Sequence, residues 1–152
     1  MRVAVIGLGS MGMGAARNLL RKGLDVTGCE PRDEARAAFV AAGGRAVARA
    51  DALPDGTEVA VVFVVSAAQA EAALFGEHGC AVRLAPGAVV MQCATVAPEA
   101  ARRLAGLCEA RGLAMLDAPV SGGAAGAEAG TMTVMASGPD AAFVRAQPVL
   151  DA

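Results

Sequence analysis

The chain predicts an α/β fold, a doubly wound and mainly parallel sheet with helices on both faces, forming a single domain over residues 1–152. Three observations carry this. Short β-rich runs alternate with helical stretches along the whole length, the pattern of repeated strand–helix–strand units. The strand-like runs are continuously apolar, as in VAVVFVV at 59–65, which marks strands buried on both faces. A glycine-rich turn, GLGSMG at 7–12, follows the first such run and opens a helix.

Each element has a local reason. Arg2–Ile6 is the first strand, and a helix runs from the glycine turn to about Lys22, closed by Gly23. Asp25–Cys29 is the second strand, followed by a helix over Arg32–Ala42 that ends at Gly43 and Gly44. Arg45–Ala48 is a short third strand, and Val59–Val65 a fourth with no polar side chain. Gln69–Leu74 and a segment around Cys80–Leu84 read as helical, separated by Gly76 and Gly79. Ala88–Gln92 is the fifth strand, and Pro98–Arg111 is a helix with Pro near its first position and Gly112 past its end. Leu113–Leu116 is the sixth strand. Asp117–Gly130 reads as a glycine-rich loop, Thr131–Ala136 as a strand, and a last helix starts near Pro139.

Composition removes several functional classes. The chain is 55% hydrophobic with a mean hydropathy of +0.50, yet its longest uncharged stretch, Leu84–Pro98, contains a second proline, Pro86. A spanning helix needs roughly 20 apolar residues, so a membrane span is excluded. The uncharged residues 3–16 behind Arg2 mimic a signal peptide, but glycines at 7, 9, 12 and 14 would break its apolar helix. A net charge of −2 without a basic run argues against nucleic acid. Cys29, Cys80, Cys93 and Cys108 form no CxxC and no His-paired spacing, so no metal site is expected. Cys29 and Cys93 lie in apolar runs as reduced thiols, which fits a soluble, cytoplasmic protein. Lys22 is the sole lysine and His78 the sole histidine, which leaves few groups for acid–base or nucleophilic work. His78 belongs to no motif and is expected in a surface loop.

Gly7-Leu8-Gly9-Ser10-Met11-Gly12 is G-x-G-x-x-G in the strand–turn–helix context that dinucleotide binding requires. Gly7 permits the tight turn, Gly9 lets the backbone approach a pyrophosphate, and Gly12 lets helix and strand pack closely. Free N–H groups at the helix start then favour the phosphate charge. The fold is thus of the Rossmann type. Glu30 lies eighteen residues after Gly12, where an acidic residue bonds the adenosine ribose hydroxyls. A carboxylate there repels the 2′-phosphate of NADP by a few kcal/mol at ~4 Å and intermediate dielectric, so NAD is expected over NADP. Arg32 complicates that choice and is read as a solvated residue opening the following helix.

A second glycine cluster, DAPVSGGAAGAEAG at 117–130, is either an anion-binding nest of backbone N–H groups with the Ser121 hydroxyl or a flexible loop. In an open α/β sheet, ligands bind past the carboxyl ends of the strands. Gly7–Gly12, Glu30–Pro31, Ser66–Ala68, Cys93–Thr95 and Asp117–Gly123 should therefore share one rim. Thr95 either brings a hydroxyl between cofactor and substrate or caps the next helix.

GLGSMG with Asn18, ATVAP at 94–98, and DAPVSGG…GTMTVM at 117–135 resemble the β-hydroxyacid dehydrogenase family, whose best-known member is 3-hydroxyisobutyrate dehydrogenase. Residues 65–79 and 131–138 are most similar to its L-threonate dehydrogenase branch. The resemblance implies NAD-dependent oxidation of a hydroxyl on a small hydroxy acid. By it, Gly7, Leu8, Gly9, Ser10, Met11 and Gly12 hold the pyrophosphate, and Glu30 with Pro31 the adenosine ribose. Val65, Ser66, Ala67 and Ala68 border the cofactor, Thr95 its nicotinamide end, and Ser121, Gly122 and Gly123 the substrate carboxylate.

Three departures stand out. Ala15 replaces a common methionine, Ala94 a serine, and the family's catalytic lysine belongs to a second, all-helical domain that these residues do not include. The resemblance therefore implies no catalytic residue and no turnover in this chain alone, and homo-oligomers only through that helical domain. The alternatives are a free-standing NAD-binding or sensor module, an NADP-dependent relative such as a tartronate semialdehyde or glyoxylate reductase, and a different ligand such as FAD or S-adenosylmethionine.

Overall fold

In the computed structural model, which describes residues 1–152, β1 (Arg2–Ile6) is paired on one side with β2 (Asp25–Cys29) and on the other with β4 (Thr57–Val62). β3 (Arg45–Val47), β5 (Leu84–Gln92) and β6 (Ala114–Asp117) complete a six-stranded, wholly parallel sheet in the order β3-β2-β1-β4-β5-β6. The order reverses between β1 and β4, as in the doubly wound dinucleotide folds.

Strand periodicity builds two cores from each run. Val3 and Val5 of β1, Val59 and Val61 of β4, and Val89 and Met91 of β5 face one layer. Ala4 and Ile6, Ala60 and Val62, and Ala88 and Val90 face the other. The first layer is covered by α1 (Ser10–Arg21), α2 (Asp33–Ala41) and α6 (Asp140–Leu150), the second by α3 (Ala67–Phe75) and α4 (Pro98–Glu109). Apolar burial on both faces is what made the strands read as unbroken hydrophobic runs. Phe39 of α2 is fully buried, and Cβ atoms at Gly28 or Gly44 would collide with its ring. Phe39→Ala is expected to cost about 3–5 kcal/mol, read as a lower urea midpoint with little change in slope.

Several expectations are corrected. The fourth strand stops at Val62, not Val65, because β1 ends at Ile6 and offers no further ladder beyond the bond from the Phe63 N–H to the Ile6 carbonyl. The fifth starts earlier, at Leu84, across a register shift opposite Thr57 and Val59. Cys80–Leu84 holds only a single 3₁₀ turn at Ala81–Arg83. The other helices keep their places with ends trimmed or extended by one to three residues.

The largest correction concerns 117–136. Within the expected loop, β7 (Val120–Ser121) and α5 (Gly123–Ala129) are ordered elements, and the expected strand shrinks to β8 (Thr133–Val134), antiparallel to β7 and outside the main sheet. Glycine disfavours a helix interior by about 1 kcal/mol relative to alanine, so local preference points to loop. Here α5 lies on α1 at backbone distance, where a Cβ on Gly14 would stand 2.7 Å from the Glu128 nitrogen. Arg21 also binds Glu128 at 2.8 Å. The close approach is made by Gly14 of α1, which meets Ala127 and Glu128 of α5.

Candidate functional site

The parallel register places five strand ends on one line. Cys29 is level with Ile6, Ile6 with Val62, Val62 with Gln92, and Gln92 with Asp117. Four steps of roughly 4.8 Å make this rim about 19 Å long. At the switch between β1 and β4 the chains leaving the sheet diverge, and an open cleft of about 570 Å³ lies there.

The glycine turn occupies its middle. Gly7 has φ +94°, and a Cβ there would strike the Phe63 carbonyl. A Cβ on Gly12 would fall on the Gly7 carbonyl oxygen, so the turn and the first coil of α1 are in backbone contact. Gly9 differs: nothing lies within 4 Å of its Cβ position. The N–H groups of Gly9, Ser10, Met11 and Gly12 have no acceptor in the chain, and α1 has neither a side-chain cap nor an acidic residue in its first turn. Such a helix start leaves donors and positive potential for an anion.

Glu30 follows β2 and is 5% exposed. Its Oε2 accepts from the Leu8 N–H at 2.9 Å, while Oε1 accepts from the Arg32 Nε at 2.8 Å and its N–H at 3.2 Å. The Arg32 bond is the main cause holding the carboxyl below its ordinary pKa, with burial opposing it. Glu30 is therefore ionised across the neutral range. Its pairing contributes stability above the unfolded-state pKa, and that contribution is lost as pH falls through the lowered folded value. Arg32 is an exposed residue at the N-cap position of α2, as expected, and its guanidinium also lies on Glu30. Arg36 donates to the carbonyls of Glu30 and Pro31 at 2.7 and 2.6 Å and pins this loop.

The structure brings only part of the expected set together. Gly7, Gly9, Glu30, Pro31 and Val65 line the cleft. Leu8 is buried, and Ser10, Met11 and Gly12 form the first turn of α1 beside it. Ser66 is the N-cap of α3, its hydroxyl accepting from the Gln69 N–H at 3.2 Å; Ala67 and Ala68 are the first residues of that helix. Thr95 is exposed between β5 and α4 and does not cap α4, whose N-cap is Ala97. Ser121, Gly122 and Gly123 are exposed at the β7–α5 junction and do not line the cleft.

Arg49, Gln69 and His78 line the cleft without having been expected there. His78 is in a loop, as anticipated, but its Nδ1 lies 3.0 Å from Asp51 Oδ2. No spacing in the sequence links these residues, since Asp51 and His78 meet only when α3 has crossed the sheet.

All four cysteines are free and buried, and no His, Cys, Asp and Glu cluster suits a metal ion. Burial pushes Cys29 and Cys108 up to about 11 and Cys80 and Cys93 to about 12. The native protein is expected to resist a thiol-specific disulfide reagent at pH 8, with all four thiols reacting after denaturation. Rapid native labelling would contradict their placement.

No helix is long and apolar enough to cross a membrane. Residues 2–152 match the family model described as the NAD binding domain of 6-phosphogluconate dehydrogenase. The chain is 47% identical over 150 residues to L-threonate dehydrogenase from Cupriavidus necator, covering 99% of this chain and 50% of that protein. It is 39% identical over 151 residues to the NAD-dependent L-serine dehydrogenase of Pseudomonas aeruginosa, covering 99% of this chain and 51% of that one. A crystal structure of 3-hydroxyisobutyrate dehydrogenase from Salmonella typhimurium superposes with a TM-score of 0.95 at 46% identity, over 100% of this chain and 53% of that chain. The chain thus spans about half the length of the curated relatives it matches.

Proposed function

The chain belongs to the family of NAD-binding domains found in 6-phosphogluconate and 3-hydroxyisobutyrate dehydrogenases, and on that premise we propose that it is the cofactor half of an NAD-dependent hydroxy-acid dehydrogenase. The observation that carries this is a buried, ionised carboxylate, Glu30, set beside an uncovered glycine turn at the sheet's switch point. The residues fit the dinucleotide. Gly9 leaves room for a pyrophosphate, the free N–H groups of residues 9–12 donate to it, and Glu30 is acceptor-only, as ribose hydroxyls require. When bound, the nicotinamide ring supplies the hydride acceptor for oxidation of a carbinol.

The remaining roles follow the family. Val65, Ser66, Ala67 and Ala68 border the cofactor on the β4 side, and Thr95, one strand further, faces its nicotinamide end. Ser121, Gly122 and Gly123 hold the carboxylate of a small hydroxy acid, for which L-threonate and 3-hydroxyisobutyrate are the first candidates. Residues 1–152 form the dinucleotide-binding domain, and a helical domain supplies the catalytic lysine and the oligomer contacts. Lys22 cannot take that role: it follows α1, about ten residues or 15 Å from the phosphate turn.

Calorimetric titration with NADH, NADPH, FAD and S-adenosylmethionine tests the cofactor, and NADH is expected to bind tightest. The 152 residues are expected to bind it without oxidising either acid, with turnover appearing in a protein of the relatives' full length. Oxidation by the 152 residues alone, or failure to bind any dinucleotide, would overturn the proposal.

A further inference from the structure

The outer end of the cleft carries a polar cluster that no motif announces. Arg49 follows β3, Asp51 lies in the 3₁₀ turn at Ala50–Ala52, and His78 follows α3. Asp51 holds both cleft-lining side chains at once: Oδ1 accepts from the Arg49 Nε at 3.1 Å, and Oδ2 lies 3.0 Å from His78 Nδ1. Its own position is locked by its N–H, which donates to the His78 carbonyl at 3.0 Å, and by its carbonyl, which accepts from the Arg83 Nε at 2.7 Å. The terminal nitrogens of Arg49 have no partner in the chain. A guanidinium gripped through Nε keeps its plane and its free edge available.

Position along the rim identifies what lies there. Gly9 follows β1, Glu30 follows β2, and Arg49 follows β3, while the Glu30 N–H donates to the Val47 carbonyl at 3.0 Å. If Gly9 faces the pyrophosphate and Glu30 the ribose, the next group outward is the base. The cleft lining includes the small residues Ala50, next to Arg49, and Ala72 and Ala73 of α3, the helix that leads to His78. A planar, uncharged heteroaromatic suits a floor of small apolar side chains walled by a guanidinium.

We propose that Arg49, fixed by Asp51 together with His78, forms the adenine wall of the cleft, with its guanidinium plane against the purine. This rests on the cofactor reading above. Asp51 and His78 are positioning residues, and Arg49 is the contact.

The test is displacement of NADH by ADP-ribose, which carries the adenosine end alone, for the wild type, R49A, R49K and D51N. Stacking of this kind is worth enough to predict roughly 5- to 20-fold weaker ADP-ribose binding in R49A. R49K is expected to lose most of it too, because an ammonium keeps the charge but not the plane. D51N should lose a smaller factor by freeing Arg49 and His78. With 1,N6-etheno-ADP-ribose, the bound fluorophore should be shielded from acrylamide in the wild type and accessible in R49A, a change that a purely structural role would not produce. ADP-ribose binding unchanged in R49A, or fully restored in R49K, would overturn the proposal. Absence of NADH binding in the wild type would instead overturn the cofactor reading and this inference with it.

Discussion

Gly9→Ala is expected to leave the protein folded and to weaken NADH binding by roughly 5- to 150-fold, whereas Gly12→Ala is expected to destabilise the fold by more than about 3 kcal/mol. Both are single methyl groups in one hexapeptide. At Gly9 the backbone is already extended, at φ −70° and ψ −169°, and no atom lies within 4 Å of the new carbon. The unfolded chain loses freedom, so stability should hold or rise by about 0.4–1 kcal/mol. The methyl group instead enters the space that a pyrophosphate needs, and overpacking of about 1–3 kcal/mol corresponds to roughly 5- to 150-fold in affinity. At Gly12 the methyl group meets the Gly7 carbonyl oxygen and stands 3.2 Å from the Phe63 Cβ. Backbone meets backbone there and neither side can rotate away, so a loss above about 3 kcal/mol is expected. Urea unfolding beside NADH titration separates the two. A Gly9→Ala protein that binds NADH like the wild type would remove the phosphate from this turn.

Glu30→Gln is expected to weaken NADH by about 10- to 100-fold and to improve NADPH, reversing their order. The substitution keeps shape and an acceptor for the Leu8 N–H but removes the charge. Hydrogen bonds to a charged group contribute about 1.5–3 kcal/mol, which sets the NADH loss. For NADPH the carboxylate's repulsion of the 2′-phosphate disappears, and Arg32, released from its 2.8 Å pair, becomes an unpaired cation beside that phosphate. Arg32 is mostly exposed, so its release leaves no buried orphan charge. Because Glu30 is held below the ordinary carboxylate range, wild-type NAD affinity should stay flat from pH 8 down to about pH 5. A Glu30→Gln protein that still prefers NADH would move the discrimination elsewhere in the cleft.

Much of this was legible in the residue order. GLGSMG after an apolar run, with an acidic residue at the end of the next strand, identified the turn and Glu30, because both depend on short-range spacing. The continuous VAVV at 59–62 announced a strand buried on both faces. Where reading failed, a distant partner had intervened. VAVVFVV continued as strand-like sequence to Val65, but the neighbouring strand ends at Ile6, and a strand without a ladder stops. The glycine-rich 123–129 resembled a loop, yet α1 supplies a surface of small residues that makes it a helix.

The sequence alone therefore determined the six strands, most of the helices, the glycine turn and the carboxylate beyond it, since periodicity and spacing within about thirty residues encode them. The tertiary structure decided which of the expected residues share a cleft and which do not. It kept Gly9, Glu30 and Val65 together, placed Ser121–Gly123 outside, and brought Arg49, Asp51 and His78 to the outer wall. The physical reason is the crossover connection. Parallel strands aligned at Cys29, Ile6 and Val62 join segments dozens of residues apart, and only closure of the sheet makes them neighbours.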